Sequence, residues 1–205
     1  MQPVSLHKEA RRQVCCGFCG FTGVHAACGA GAGSIGAMNP SARPPRWAPS
    51  VTVAAIIERD GRFLLVEEHT PEGLRLNNPA GHLEQGESPL QAVCREALEE
   101  TARVFEPSHL LGVYLSRFRR PATGEDVTYV RFAYAGACGE VLADRRLDEG
   151  IVRTLWMSAE QVRACTARHR SPLVLRCLED HLAGRRYPLD AVLADESIIA
   201  PEVKA

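Results

Sequence analysis

The chain has 205 residues, 45% of them hydrophobic and 24% charged, which is enough for one domain with a sizeable core plus tails. A formal net charge of −1 excludes a broad basic surface of the kind that binds nucleic acid. No apolar run reaches the roughly 18 residues of a membrane-spanning helix.

Residues 1–46 differ from the rest. Glu9 is the only acidic residue before Glu58, and Gly, Ala and Cys dominate from Cys15 to Ala37 without helical or strand period. Cys16 and Cys19 form a single C-x-x-C, with Cys15, His25 and Cys28 nearby, but the second paired half of a zinc site is missing. Lys8, Arg11 and Arg12 precede a Gly-rich run without Leu, which is a poor signal peptide. The expected organisation is a disordered leader over 1–46, a folded domain over 47–193 and a tail over 194–205, with Met38 as a candidate natural start. The other four cysteines, Cys94, Cys138, Cys165 and Cys177, are scattered, which fits free thiols in a reducing, cytoplasmic setting.

The domain opens with a β-branched run, Val51 to Ile57, then Asp60-Gly61 and Phe63 to Val66, a strand–turn–strand hairpin. Pro71-Glu72-Gly73 marks a loop, and Leu74 to Asn78 leads to the turn Pro79-Ala80-Gly81. Further on, Leu110 to Phe118 and Val127 to Ala135 read as strands around the turn Thr123–Asp126, and Val141-Leu142 as a short segment. Ile151 to Met157 is the last strand. Ser158 with Gln161 caps a short helix, and Ser171-Pro172 opens another that ends at Gly184. Strands, one helix, strands and then helices predict a mixed sheet with helices on its faces.

Between these strands lies a helix opened by Ser88, with Pro89 at its first position and Gln91 completing a capping box. Leu90, Val93, Cys94, Ala97 and Thr101 form one packing stripe. Glu96, Glu99 and Glu100 stand at i, i+3 and i+4 and share another side. Like charges at that spacing repel by a few tenths of a kcal/mol per pair. A hard divalent cation such as Mg²⁺ turns the repulsion into coordination and leaves room for substrate phosphates. Arg95 is placed to hold a carboxylate, and Glu87 at the helix entrance is its natural partner. Gly81, having no Cβ, allows its carbonyl to approach a metal closely.

Gly81, Glu87, Arg95, Glu96, Ala97, Glu99 and Glu100 carry the pattern G-x5-E-x7-R-E-U-x-E-E, so the stretch resembles the signature of the Nudix hydrolases. The end departs from it: the family's glycine is Ala102 and its last apolar position is Arg103, which leaves the exit from the helix open. Val51–Ala54, Asn78–Glu84, Arg170–Val174 and Arg186–Leu189 add a likeness to the NudJ subgroup of bacterial phosphatases. The resemblance implies an α/β fold, an α/β/α sandwich with a mixed sheet. It also implies Mg²⁺-dependent cleavage of phosphoanhydrides, Mn²⁺ being able to substitute. Nucleoside tri- or diphosphates, or hydroxymethylpyrimidine pyrophosphate, are the implied substrates. ADP-ribose or dinucleotide pyrophosphohydrolysis is the alternative, and a non-catalytic ligand sensor the alternative from another class. The expected partner is a small-molecule nucleotide or pyrophosphate, with no nucleic acid and no membrane, for a monomer or homodimer.

The expected metal ligands are Gly81 (by its carbonyl), Glu96, Glu99 and Glu100. The catalytic set is Glu96, Arg95, Glu100 and Glu149, with the general base either Glu96 or, from the loop before the last strand, Glu149 with Asp148 in reserve. Arg117, Arg119 and Tyr129 are candidate substrate contacts, against a plain reading as surface strand residues. Arg185, Arg186 and Tyr187 either cap the site or dock the last helix, with docking preferred. His82 reads as a loop residue and Trp156 as core.

Overall fold

A computed structural model describes residues 46–120 and 123–199. The leader cysteines, His25 and Met38 lie outside the described residues, as does the end of the tail. The elements are β1 (Ser50–Arg59), β2 (Arg62–Thr70), β3 (Gly73–Asn77), β4 (Ala80–His82), α1 (Pro89–Thr101), β5 (Phe105–Arg119), β6 (Asp126–Cys138), β7 (Ile151–Ser158), α2 (Ala159–Ala164) and α3 (Leu173–Leu182).

The strands form a seven-stranded mixed sheet, ordered β3-β2-β1-β6-β5, with β4 added to β1 and β7 to β2. The long pairing of β1 with β6 is parallel, and the other pairings are antiparallel. The β1–β2 hairpin turns at Asp60 and Gly61, both at positive φ (51° and 73°), the backbone that a two-residue primed turn demands and that Asp-Gly supplies at low cost. The two strands pair only at Glu58–Phe63 and Arg59–Arg62. The first half of β1 pairs instead with β4, Thr52 opposite His82 and Val53 opposite Gly81. That divergence sets the Pro79-Ala80-Gly81 turn beside α1.

β1 is covered on both faces, which is why its sequence is a continuous apolar run rather than an alternation. Val53, Ala55 and Ile57 pack with Leu64 and Tyr134 against Ala92, Val93 and Ala97 of α1. Ala54 and Ile56 pack with Phe63, Leu65, Ala133 and Ala135 against Val162 of α2 and Val174, Cys177 and Leu178 of α3. The result is the expected α/β/α sandwich. β5 and β6 run longer than the apolar pattern implied, because their ends pair with each other beyond the core. Val141 and Leu142 form no strand; both are exposed, and Leu142 donates its N–H to the Ala102 carbonyl at 2.8 Å and accepts from the Arg145 N–H at 3.1 Å.

Candidate active site

α1 begins as its sequence dictates. The Gln91 N–H donates to Ser88 Oγ at 3.2 Å, and the Ser88 N–H donates to Gln91 Oε1 at 2.9 Å. Two of the helix's otherwise unmet donors are satisfied in this way. Burial of Ala92, Val93, Ala97 and Thr101 against the sheet turns Glu96, Glu99 and Glu100 toward β4 and the loop before β7.

Arg95 ties the acids together. Its Nε and Nη2 donate to the two oxygens of Glu87 at 3.0 and 2.6 Å, a forked pair across the loop. Its Nη1 donates to Glu96 Oε1 at 2.8 Å and Glu99 Oε2 at 2.9 Å, and Nη2 also reaches the His82 carbonyl at 3.1 Å. This guanidinium holds the Glu87 carboxyl below the usual carboxylate range.

Glu96 and Glu100 behave in the opposite way. Burial, strengthened by neighbouring negative charge, raises the Glu96 carboxyl above its ordinary value despite Arg95. Glu100 is 8% exposed and accepts one hydrogen bond, from the Ala80 N–H at 2.7 Å. Burial, with the charges of Glu96, Glu68 and Asp148, pushes its carboxyl up to about 8. Glu68 on β2 adds a buried Oε1 with no hydrogen-bond partner. Gly81 is needed here for space: a Cβ on it would sit 2.1 Å from the Glu96 carboxylate. The acids thus outnumber the cations that meet them, and all the donors are hard oxygens, a set that fits Mg²⁺. Among the described residues no three His, Cys, Asp or Glu side chains already converge as a ligand set. Arg95 occupies the Glu96 and Glu99 oxygens, so filling the site requires those carboxylates to turn.

The remaining candidates divide. The Asp148 N–H donates to the Glu99 carbonyl at 3.0 Å, and the Asp148 charge bears on both Glu96 and Glu100. Glu149 is exposed in the turn before β7, without such a tie. Arg117 and Arg119 are not brought to the acids. They sit where β5 and β6 run past the start of β1, Arg117 forked onto Asp126 at 3.2 and 2.7 Å and Arg119 donating to the Gly124 carbonyl at 3.3 Å. Tyr129 is closer, opposite Ser50 and with its ring 6.3 Å from that of His82, the residue after Gly81.

Arg185 pairs with Asp180 at 3.2 Å and Tyr187 bridges Leu110 by two backbone hydrogen bonds of 2.9 Å, so this segment docks the chain after α3 onto β5. Trp156 packs with the α1-side core, and the guanidinium groups of Arg59 and Arg103 lie over its ring at 5.2 and 5.9 Å from the centroid. Sequence reasoning missed Glu68 and a buried arginine, Arg131. Glu68 breaks the apolar run of β2, but with Glu67 beside it nothing in the order of residues says which of the two faces α1.

The NUDIX domain family model matches residues 46–177. The chain belongs to the Nudix family and is a hydrolase of phosphorus-containing anhydrides. It is 33% identical over 144 residues to the Escherichia coli protein named phosphatase NudJ, covering 70% of this chain and 90% of that one. Among solved structures it resembles a NUDIX hydrolase from Nitrosomonas europaea, with 49% identity, a TM-score of 0.66, and coverage of 73% of this chain and 99% of that one. A MutT NUDIX hydrolase from Burkholderia pseudomallei matches at 25% identity and a TM-score of 0.53, over 65% and 98% of the two chains.

Proposed function

We propose that this chain is a Mg²⁺-dependent phosphohydrolase that cleaves phosphoanhydrides of nucleoside tri- or diphosphates, or of related pyrophosphates such as hydroxymethylpyrimidine pyrophosphate. It works in the cytoplasm, a setting consistent with Cys94, Cys138, Cys165 and Cys177 all being free thiols. The observation that carries the reading is the group of carboxylates in which Glu96 and Glu100 are buried, Glu96 against Gly81 and Glu100 against Ala80, while Glu68, with a buried Oε1 that has no partner, adds its charge to Glu100. Glu96, Glu99 and Glu100 hold the metal, with the Gly81 carbonyl as a further donor. When bound, the cation supplies polarisation of the phosphoryl group and neutralises the charge that develops on its oxygens.

Arg95 donates to Glu87, Glu96 and Glu99 at once and ties the helix to the segment before it through the His82 carbonyl. The base that takes a proton from the attacking water is drawn from Glu96 and Asp148, which with Glu68 are the carboxylates whose charges bear on Glu100. Tyr129 and His82 border the approach to the metal site and offer ring faces to a substrate base.

A malachite-green screen of nucleotides, ADP-ribose and hydroxymethylpyrimidine pyrophosphate, with and without a coupled pyrophosphatase, identifies substrate and scissile bond. Glu100→Gln lowers turnover at least about a hundredfold on whichever substrate is cleaved, with the fold retained. Wild-type phosphate release by that variant overturns the assignment.

A further inference from the structure

Among the described residues Arg131 leaves more buried donors unmet than any other arginine. It lies in the middle of β6, opposite Thr52 of β1 on one side and Tyr114 of β5 on the other, and Thr52 is in turn opposite His82 of β4. The row His82–Thr52–Arg131 therefore runs across the sheet from the residue beside Gly81. Arg131 is only 8% exposed, and its Nε and Nη1 are buried without a hydrogen-bond partner. The Thr52 hydroxyl in the same row is buried and unpartnered too.

A guanidinium does not give up its charge at any ordinary pH, so unmet donors in a buried place are costly unless something meets them. Arg103 also keeps one buried nitrogen, Nε, without a partner, but its Nη1 donates to the Gly139 carbonyl at 2.9 Å, whereas Arg131 leaves both Nε and Nη1 unmet. The groups whose charges bear on Arg131 are Cys177 of α3 first, then Glu68 and Glu100 of the candidate site. None meets its Nε or Nη1, although Glu68 itself has a buried oxygen without a partner. Arg131 and Glu68 thus each keep a buried polar atom that the other does not meet. A diphosphate arriving with its own divalent cation would satisfy both, its oxygens taking the arginine donors and its cation the carboxylates.

We propose that Arg131 is the anion anchor of the site: its unmet N–H donors bind phosphate oxygens of the substrate's diphosphate, with the Thr52 hydroxyl as a neighbouring donor. The anchor rests on the reading of α1 as the catalytic wall and deepens it by assigning the residue that holds the phosphate. Arg131 is a binding and positioning residue and takes no proton.

The test is calorimetric titration of methylenediphosphonate with saturating Mg²⁺ into the wild-type protein, Arg131→Met and Arg131→Lys, beside titration of Mn²⁺ alone followed by electron paramagnetic resonance. Arg131→Met weakens the diphosphonate at least about tenfold and Arg131→Lys severalfold, because an ammonium keeps the charge but loses the fork, while Mn²⁺ affinity is unchanged or tighter. Unchanged diphosphonate affinity overturns the anchor, and so does a loss matched by an equal loss of Mn²⁺ affinity. If Arg131→Met does not fold, Arg131→Lys decides alone, and wild-type affinity in it overturns the proposal. Glu100→Gln separates the two levels. Should Glu100→Gln be inactive while the Arg131 variants bind normally, only the anchor falls; hydrolysis by Glu100→Gln at the wild-type rate removes the catalytic wall and the anchor with it.

Discussion

Two buried acids, Glu67 on β2 and Glu100 on α1, are placed in opposite electrical surroundings. Glu67 is 3% exposed and is clasped by Arg153 at 2.7 Å and by Arg168, so its carboxyl is held below its ordinary value, chiefly by the hydrogen bond from Arg153. Glu100 is nearly as buried, yet its company is Glu96, Glu68 and Asp148, and its carboxyl is pushed up to about 8. The first arrangement is what a fold does with an acid it must bury: it supplies cations. The second leaves a charge deficit that the protein alone does not fill. An acid that binds is recognised here by what its surroundings withhold.

The sharpest break between the two is functional. Glu100→Gln is expected to cost at least about a hundredfold in turnover, whereas Glu67→Gln leaves the acidic wall in place and costs little turnover per folded molecule. Parallel phosphate-release assays on the two variants check this, and equal losses of activity would erase the distinction.

Their pH dependences also have opposite signs. Glu100 has a folded value of about 8 against 4.5 for the free side chain, so the folded chain keeps a proton that the unfolded chain loses. Its contribution to stability is fully present below about pH 4.5 and is lost as pH rises toward 8, by up to about 1.4 kcal/mol per unit. Glu67 is lowered, so its contribution is present above pH 4.5 and lost as the solution is acidified. Metal-free protein should therefore melt at a lower temperature at pH 8 than at pH 6. Glu100→Gln should remove most of that slope, and Mg²⁺ should raise the melting temperature more at pH 8 than at pH 6. Melting curves at the two pH values, with Mg²⁺ and with a chelator, read all three.

On the stability side Glu67→Gln is the larger lesion of the pair. It should cost about 1–2 kcal/mol rather than the larger loss of a fully buried ion pair, because the Arg153 and Arg168 side chains are 60% and 47% exposed and regain water. Urea melts of wild type and variant measure it, and an unchanged midpoint would mean that the clasp contributes nothing.

Much of this was legible in the residues themselves. The acidic face of α1, its capping box and the Asp60-Gly61 hairpin are local features, written in spacing and side-chain chemistry, and the structure has each of them. The pairing of Arg95 with Glu87 joins the residue before the Ser88 cap to the second turn of α1. What could not be read is which distant strands supply neighbours to that face. Glu68 and Arg131 reach the site only because β1 leaves β2 after one turn and takes β4 and β6 as partners, a fact of topology rather than of pattern. The same topology sends Arg117 and Arg119 past the start of β1 and into their own hairpin.

The helix exit is where the residues depart from the family pattern, and it holds the smallest of the expected effects. Ala102 stands where that pattern has glycine and adopts φ 52°, ψ 31°, the left-handed cap, with its N–H donating to the Leu98 carbonyl at 3.0 Å. The backbone conformation is thus kept with a residue that dislikes it. The next residue, Arg103, replaces an apolar one by laying its stem inside and donating to the Gly139 carbonyl. Left-handed backbone costs an alanine about 1–2 kcal/mol, while a glycine adds about 0.4–1 kcal/mol of unfolded-state freedom. The difference predicts that Ala102→Gly stabilises the protein by about 0.5–1 kcal/mol, with turnover unchanged, since the cap lies after the last acidic residue of α1. A urea midpoint that falls instead would mean that the Ala102 methyl, only 1% exposed, packs well enough to outweigh its strain.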